Sequence, residues 1–108
     1  MKAIVKYNGT PAGILEKTAR EYTFQYEQEY ILAGGRPISI TMPFNKNPFK
    51  SKYLFPVLMN LLSEGSNKKM QCRLLKIAED DYFSLLLATA NQETIGPLTV
   101  EPLQNEAE

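Results

Sequence analysis

The sequence of 108 residues contains no histidine and a single cysteine, Cys72. Without histidine, catalysis by an imidazole base and metal sites built on imidazole ligands are excluded. A lone cysteine cannot form an internal disulfide, so we expect a reducing, cytoplasmic location and interpret Cys72 as a small buried hydrophobic residue rather than a reactive thiol. No apolar run is long enough to span a bilayer, and the first residues lack the apolar core of a signal peptide.

Other motifs that carry chemistry are also missing. Asp80 and Asp81 are adjacent, and adjacent helical residues do not face each other, so helix capping is favoured over acid–base catalysis. Gly34 and Gly35 form a two-glycine turn rather than a phosphate-binding loop. The signature motifs of protein kinases are absent. We therefore expect a protein that is not an enzyme, with no catalytic residues, no metal, no cofactor and no small-molecule ligand.

The net charge is zero, but the charges are segregated along the chain. Residues 1–45 carry five basic and four acidic side chains (net +1). Residues 46–76 carry seven basic side chains and one acidic one (net +6), and residues 77–108 carry seven acidic side chains and no basic one (net −7). A surface polarised in this way steers charged partners. For the basic segment, a solvated helix face is favoured over contact with nucleic-acid phosphates, and docking on an acidic protein groove ranks between the two.

The first third of the sequence predicts an antiparallel β-meander. Strands are expected at Lys2–Tyr7, from Pro11 or Ala12 to Thr18, and at Glu21–Tyr26, where apolar and polar residues alternate. Asn8-Gly9 between the first two strands is a strong hairpin signal because both residues tolerate positive φ. One helical turn is expected at residues 27–32, ended by the glycine pair at 34–35.

The remaining two thirds predict a fourth strand, three helices and a returning strand. The fourth strand is expected at 38–41, an irregular loop at 45–51, and the last strand at 94–100. Ser51 is expected to cap a first helix, which ends at Gly65, and Ser66 is expected to cap a second helix. Asp80 or Asp81 is expected to cap a third helix, which is largely apolar, central and ends at Ala90. The order predicts an α+β fold for residues 1–103: a small antiparallel sheet packed with three short helices. The acidic tail at 104–108 is expected to be disordered.

Phe55 and Met59 lie four residues apart in the predicted first helix, off its main apolar stripe. Two interpretations remain open at this point. Both side chains are buried by the sheet or by the other helices, as is common in small domains, or they form an exposed apolar patch that docks a partner.

A series of short segments follows the order of a known family along almost the whole chain. The segments are Ala12-Gly13-Ile14-Leu15, Tyr22–Tyr26, Pro37–Pro43, Phe55–Gly65, Phe83–Leu87 and Ile95–Val100. In this order they resemble the N-terminal subdomain of the HipA family of serine/threonine kinase toxins. Two positions depart from the family pattern: Ser63 replaces a usual proline, and Pro97 replaces a usual alanine.

The resemblance implies a function that rests on a partner. Because the sequence ends where the family's kinase core would begin, it is similar to the stand-alone HipS-like proteins of three-gene HipBST toxin–antitoxin systems of bacteria. It implies a non-catalytic, antitoxin-like subunit that binds and restrains a HipT- or HipA-like kinase. The alternative is a scaffolding or dimerisation module that bridges the kinase to a HipB-like DNA-binding repressor without inhibiting it.

The resemblance also indicates which residues contact the kinase. The expected partner-binding residues are Ser63, Glu64, Gly65, Ser66, Asn67, Lys68 and Lys69, together with Phe55 and Met59. The family often has a bulky apolar residue directly after the Glu-Gly pair, and this chain has Ser66 there.

Overall fold

The structure is a computed structural model that describes residues 1–45, 47–62, 65–78, 80–89 and 97–103, with only the backbone at 65–68 and 71. The described strands are β1 (Lys2–Tyr7), β2 (Thr10–Lys17), β3 (Tyr22–Tyr26), β4 (Phe49–Ser51) and β5 (Leu98–Pro102). The described helices are α1 (Gln28–Leu32), α2 (Pro56–Met59), α3 (Gly65–Leu75) and α4 (Tyr82–Thr89).

The five strands form one antiparallel sheet in the order β4-β3-β2-β1-β5. The predicted meander β1–β2–β3 is confirmed, and so is the α+β fold class. At the first hairpin Asn8 has φ 51° and Gly9 has φ 82°. Positive φ at both central residues is the geometry that matches the twist of a two-residue hairpin, which is why Asn-Gly predicted it.

The core lies on one face of the sheet and is closed by α4 and by the segment around α2. Each strand of the meander contributes alternate residues, and Phe83 and Leu86 of α4 are fully buried against them. The predicted central position of α4 is therefore confirmed. Its N-terminus is capped by Asp81, whose Oδ1 accepts a hydrogen bond from the Ser84 N–H at 3.2 Å, which confirms the capping interpretation of this carboxylate.

The predicted fourth strand at residues 38–41 is wrong. The only pairing in this segment is an isolated bridge between Ser39 and Met42. Its backbone is held instead by a side chain, because the Ile38 N–H donates to the Tyr26 hydroxyl at 2.9 Å and that hydroxyl donates to the Met42 carbonyl. The alternating Ile-Ser-Ile pattern therefore belongs to a loop in which Ile38 is buried and Ile40 is exposed.

The fourth strand of the sheet is β4, inside the loop that the sequence predicted to be irregular. It pairs with β3 over three residues, with Phe24 opposite Phe49 and Tyr22 opposite Ser51. Ser51 is therefore a strand residue and not a helix cap, and its Oγ accepts a hydrogen bond from the Tyr53 N–H. The free edge of β3 offers unpaired backbone groups, which the short β4 satisfies.

The predicted helix that Ser51 caps and Gly65 ends is much shorter in the structure. α2 ends at Met59 because the Leu61 and Leu62 N–H groups donate to carbonyls three residues back, at 3.1 and 3.0 Å. Hydrogen bonds between residues three apart form a 3-10 turn, which is tighter than an α-helix and often ends one. α3 begins at Gly65, one residue before the predicted cap at Ser66. Of the predicted last strand, residues 94–96 lie outside the described residues, and β5 extends to Pro102.

Candidate protein-docking surface

The predicted contact segment 63–69 leads into α3. Ser63 and Glu64 lie outside the described residues, and Gly65–Lys68 form the first turn of α3 by their backbone. Lys69 is exposed on α3. Because no partner is present, the assignment of these residues to a contact stays a prediction.

Phe55 does not form an exposed patch with Met59. Phe55 is only 7% exposed and belongs to the core with Leu54 and Leu58, while Met59 is half-buried and packs against that core. Phe55 precedes α2 in an extended conformation (φ −62°, ψ 138°) and occupies its N-cap position. Of the two interpretations left open by the sequence, burial is correct for Phe55, and it can contact a partner only through movement of the core.

α3 exposes several apolar side chains to solvent. Met70 is 60% exposed and Leu74 is 73% exposed, and Leu75 is partly exposed beside them. Residues four apart are neighbours on a helix surface, so Met70 and Leu74 share one face. The periodicity of apolar residues alone does not distinguish a helix face that packs inward from one that faces solvent.

Cations lie next to this apolar face. Lys69 and Arg73 are exposed and also four residues apart, each directly preceding one of the two apolar residues. The sequence of α3 contains no acidic residue. Arg73 lies in the last turn of α3, where the negative end of the helix dipole stabilises a cation.

The C-terminal end of α3 is defined by Lys76. Lys76 has φ 59°, and the Ile77 N–H donates to the Cys72 carbonyl at 3.0 Å, five residues back. This pairing is a Schellman motif, normally made with glycine at the left-handed position. Here a lysine occupies it, which adds a third exposed cation to the end of the helix.

Cys72 marks a buried side of α3, because it lies about 200° around the helix from the exposed Met70 and Leu74. Cys72 is buried and is a free cysteine, as predicted, and the other side chains of α3 that the structure describes are exposed. The basic segment 46–76 is thus divided between two places in the fold. Lys50 and Lys52 lie in and just after β4, while Lys69, Arg73 and Lys76 lie on and after α3.

Two buried tyrosines have side-chain pKa values above the ordinary value. Burial raises the pKa of the Tyr26 hydroxyl, against the lowering effect of its hydrogen bond from Ile38. Burial, followed by the charge of Asp81, raises the pKa of Tyr22. Within the described ranges, no three histidine, cysteine, aspartate or glutamate residues group as metal ligands, and no helix is long and apolar enough to cross a membrane.

Comparison with known proteins identifies relatives over most of the chain. A curated protein of Haemophilus influenzae, named only as uncharacterized, is 35% identical over 75 residues, which cover 69% of this chain and 68% of the relative. A solved structure titled "N-terminal domain of HipA toxin" superposes with a TM-score of 0.68 at 27% identity, covering 95% of this chain and 94% of that one.

The family model described as the HipA N-terminal domain matches residues 3–101. The match begins in β1 and ends in β5, so it includes every strand and helix of the fold described above. The family resemblance inferred from the sequence is thereby confirmed, and this chain belongs to the HipA N-terminal domain family.

Proposed function

We propose that this protein is a non-catalytic, antitoxin-like regulatory subunit that binds and restrains a HipA- or HipT-like serine/threonine kinase toxin. The observation that carries the proposal is the family match over residues 3–101, together with the likeness to a domain titled as part of a HipA toxin. By analogy, a domain that forms part of a toxin in one protein acts on a related toxin as a separate chain. Family membership alone is an argument by analogy, so the function needs a direct test.

The proposed contact runs from Ser63 through the first turn of α3 to Lys69. The positive charge of this contact supports a protein partner with an acidic surface, because α3 carries Lys69 and Arg73 and its sequence contains no acidic residue. Phe55 supports the proposed contact indirectly, since it is buried in the core and occupies the N-cap position of α2. Met59 is half-buried, so only the exposed part of its side chain contacts the partner.

Co-purification with a HipA-like kinase from the same genome tests the proposal. Tagged wild-type protein is expected to retain the kinase, and Lys69→Glu is expected to weaken retention through charge repulsion. Arg20→Glu is the matched control, because Arg20 is exposed in the turn between β2 and β3. If the kinase is not retained by the wild-type protein, the proposal is wrong.

The scaffolding alternative gives a different result in the same preparation. A scaffold would bind the kinase without lowering its activity and would change the mobility of operator DNA in a gel shift with a HipB-like repressor. Direct nucleic-acid binding would appear as a shift with this chain alone, and its affinity would fall steeply with salt.

A further inference from the structure

We infer that the exposed face of α3 formed by Met70, Leu74, Lys69 and Arg73 is a docking face for an apolar groove with an acidic rim on the partner kinase. This inference rests on the proposed function and deepens it, because it adds Met70, Arg73 and Leu74 to the contact and specifies the chemistry of the surface that receives them.

Two parallel stripes define the face. Met70 and Leu74 are four residues apart, and so are Lys69 and Arg73, so each pair lies one helical turn apart on α3. Each cation directly precedes an apolar residue, which places the basic stripe about 100° around the helix from the apolar stripe. An amphipathic helix that binds in a groove uses apolar anchors at this spacing.

The apolar stripe lies outside the core that the described residues form. Met70 and Leu74 are 60% and 73% exposed, and neither belongs to the hydrophobic core. A single exposed leucine is common on protein surfaces, whereas adjacent exposed apolar residues with a polar border indicate an interaction site. Since both side chains are solvated in the free protein, a partner gains their burial without opening the fold.

Charge complementarity identifies the kind of surface that covers this face. The rim carries Lys69 and Arg73 on one side and Lys76 at the helix end, and the helix sequence has no acid. A nucleic-acid surface would match the cations but would leave both apolar side chains exposed to water. The stripe of Met70 and Leu74 is also much narrower than the apolar face with which a basic helix binds a lipid surface. A protein groove with apolar walls and an acidic edge satisfies both stripes.

A double truncation tests the apolar stripe. In a titration calorimetry experiment with the HipA-like kinase, Leu74→Ala is expected to weaken binding about tenfold and Met70→Ala/Leu74→Ala about a hundredfold. The matched control is Leu32→Ala, because Leu32 is a leucine on α1 that is 77% exposed. All three variants are expected to keep the wild-type circular dichroism spectrum and melting temperature, since none of the changed residues is buried.

Charge reversal tests the basic stripe independently. Lys69→Glu/Arg73→Glu is expected to weaken binding at low salt, with the difference from wild type shrinking as salt is added. Arg20→Glu is again the control. The charge-reversal variant and its control still test the docking face if the apolar truncations disturb folding.

The outcomes separate the inference from the proposed function. If wild type binds and both double variants bind within about twofold of it, the docking face is wrong while the proposed function stands. If wild type itself does not bind, the proposed function fails and this inference fails with it. If wild type sediments as a dimer that Met70→Ala/Leu74→Ala converts to a monomer without loss of kinase binding, a second copy covers α3, and the inference is overturned.

Discussion

The hydroxyl of Tyr26 offers the sharpest test of how the loop at residues 36–44 is held. The ring is buried and meets Phe24 and Phe44 edge-on, with centroids 4.9 and 4.8 Å apart. Tyr26→Phe keeps these ring contacts and removes only the oxygen. The oxygen accepts from the Ile38 N–H and donates to the Met42 carbonyl, and the change leaves both buried backbone groups without that partner.

The expected cost follows from those two groups. A buried hydrogen-bonding group that loses its partner costs about 1–3 kcal/mol. Two such groups, with some relaxation of the loop, give a loss of about 2–4 kcal/mol in the free energy of unfolding. For a domain of this size the melting temperature should fall on the order of 15 °C.

Urea denaturation followed by circular dichroism measures this effect. We expect a lower midpoint with an unchanged slope, because the surface exposed on unfolding is the same. Tyr53→Phe is the matched control, since Tyr53 is 76% exposed, and it should change stability by less than about 0.5 kcal/mol. If Tyr26→Phe were as stable as that control, the hydroxyl would not be what holds the loop.

Three further predictions concern the fold. Asp81→Ala should cost about 1 kcal/mol in urea denaturation because it removes the cap of α4, whereas the exposed neighbour change Asp80→Ala should cost less than half of that. Gly13→Ala should lower stability by about 1–3 kcal/mol, because the added Cβ would lie 2.5 Å from the Phe24 ring and 2.6 Å from the Gln25 carbonyl oxygen; an unchanged melting temperature would contradict that packing. Burial raises the pKa of Tyr22 and Tyr26 above 10.0, so at high pH the folded state keeps protons that the unfolded chain releases. The contribution of each tyrosine to the free energy of unfolding is therefore fully present below about pH 10. Above that pH it should fall by up to about 1.4 kcal/mol per pH unit for each tyrosine. Denaturation at increasing pH measures this slope, and Tyr26→Phe should reduce it.

Local patterns predicted the parts of the fold that local chemistry decides. Asn8-Gly9 supports a tight hairpin whatever surrounds it, and the alternation of Tyr22, Phe24 and Tyr26 matches a strand with one buried face. The apolar α4 and its acidic cap were likewise readable, because both depend on residues close in sequence.

The errors arise where a distant group satisfies the backbone. Residues 38–41 have the alternation of a strand, but the Tyr26 hydroxyl, 12 positions before Ile38, takes the bond that a neighbouring strand would have made. β4 was missed because only three residues pair, and what selects them is the open edge of β3 rather than their own sequence.

The candidate site shows the same limit. The sequence located the basic segment that includes α3, but it could not show that Met70 and Leu74 beside the cations are exposed. That depends on how α3 lies on the domain, and among its described side chains the buried one is Cys72, on another side of the helix. Phe55 was ambiguous for the converse reason, because its burial is set by the position of α2 against the sheet.

The most direct test of the proposed function is a titration of kinase activity. Increasing amounts of this protein are added to a HipA-like serine/threonine kinase, and phosphate transfer to the kinase substrate is measured. We expect activity to fall to a plateau near equimolar protein, and we expect Met70→Ala/Leu74→Ala to require far higher concentrations for the same effect. Full kinase activity at saturating, demonstrably bound wild-type protein would contradict restraint of the kinase.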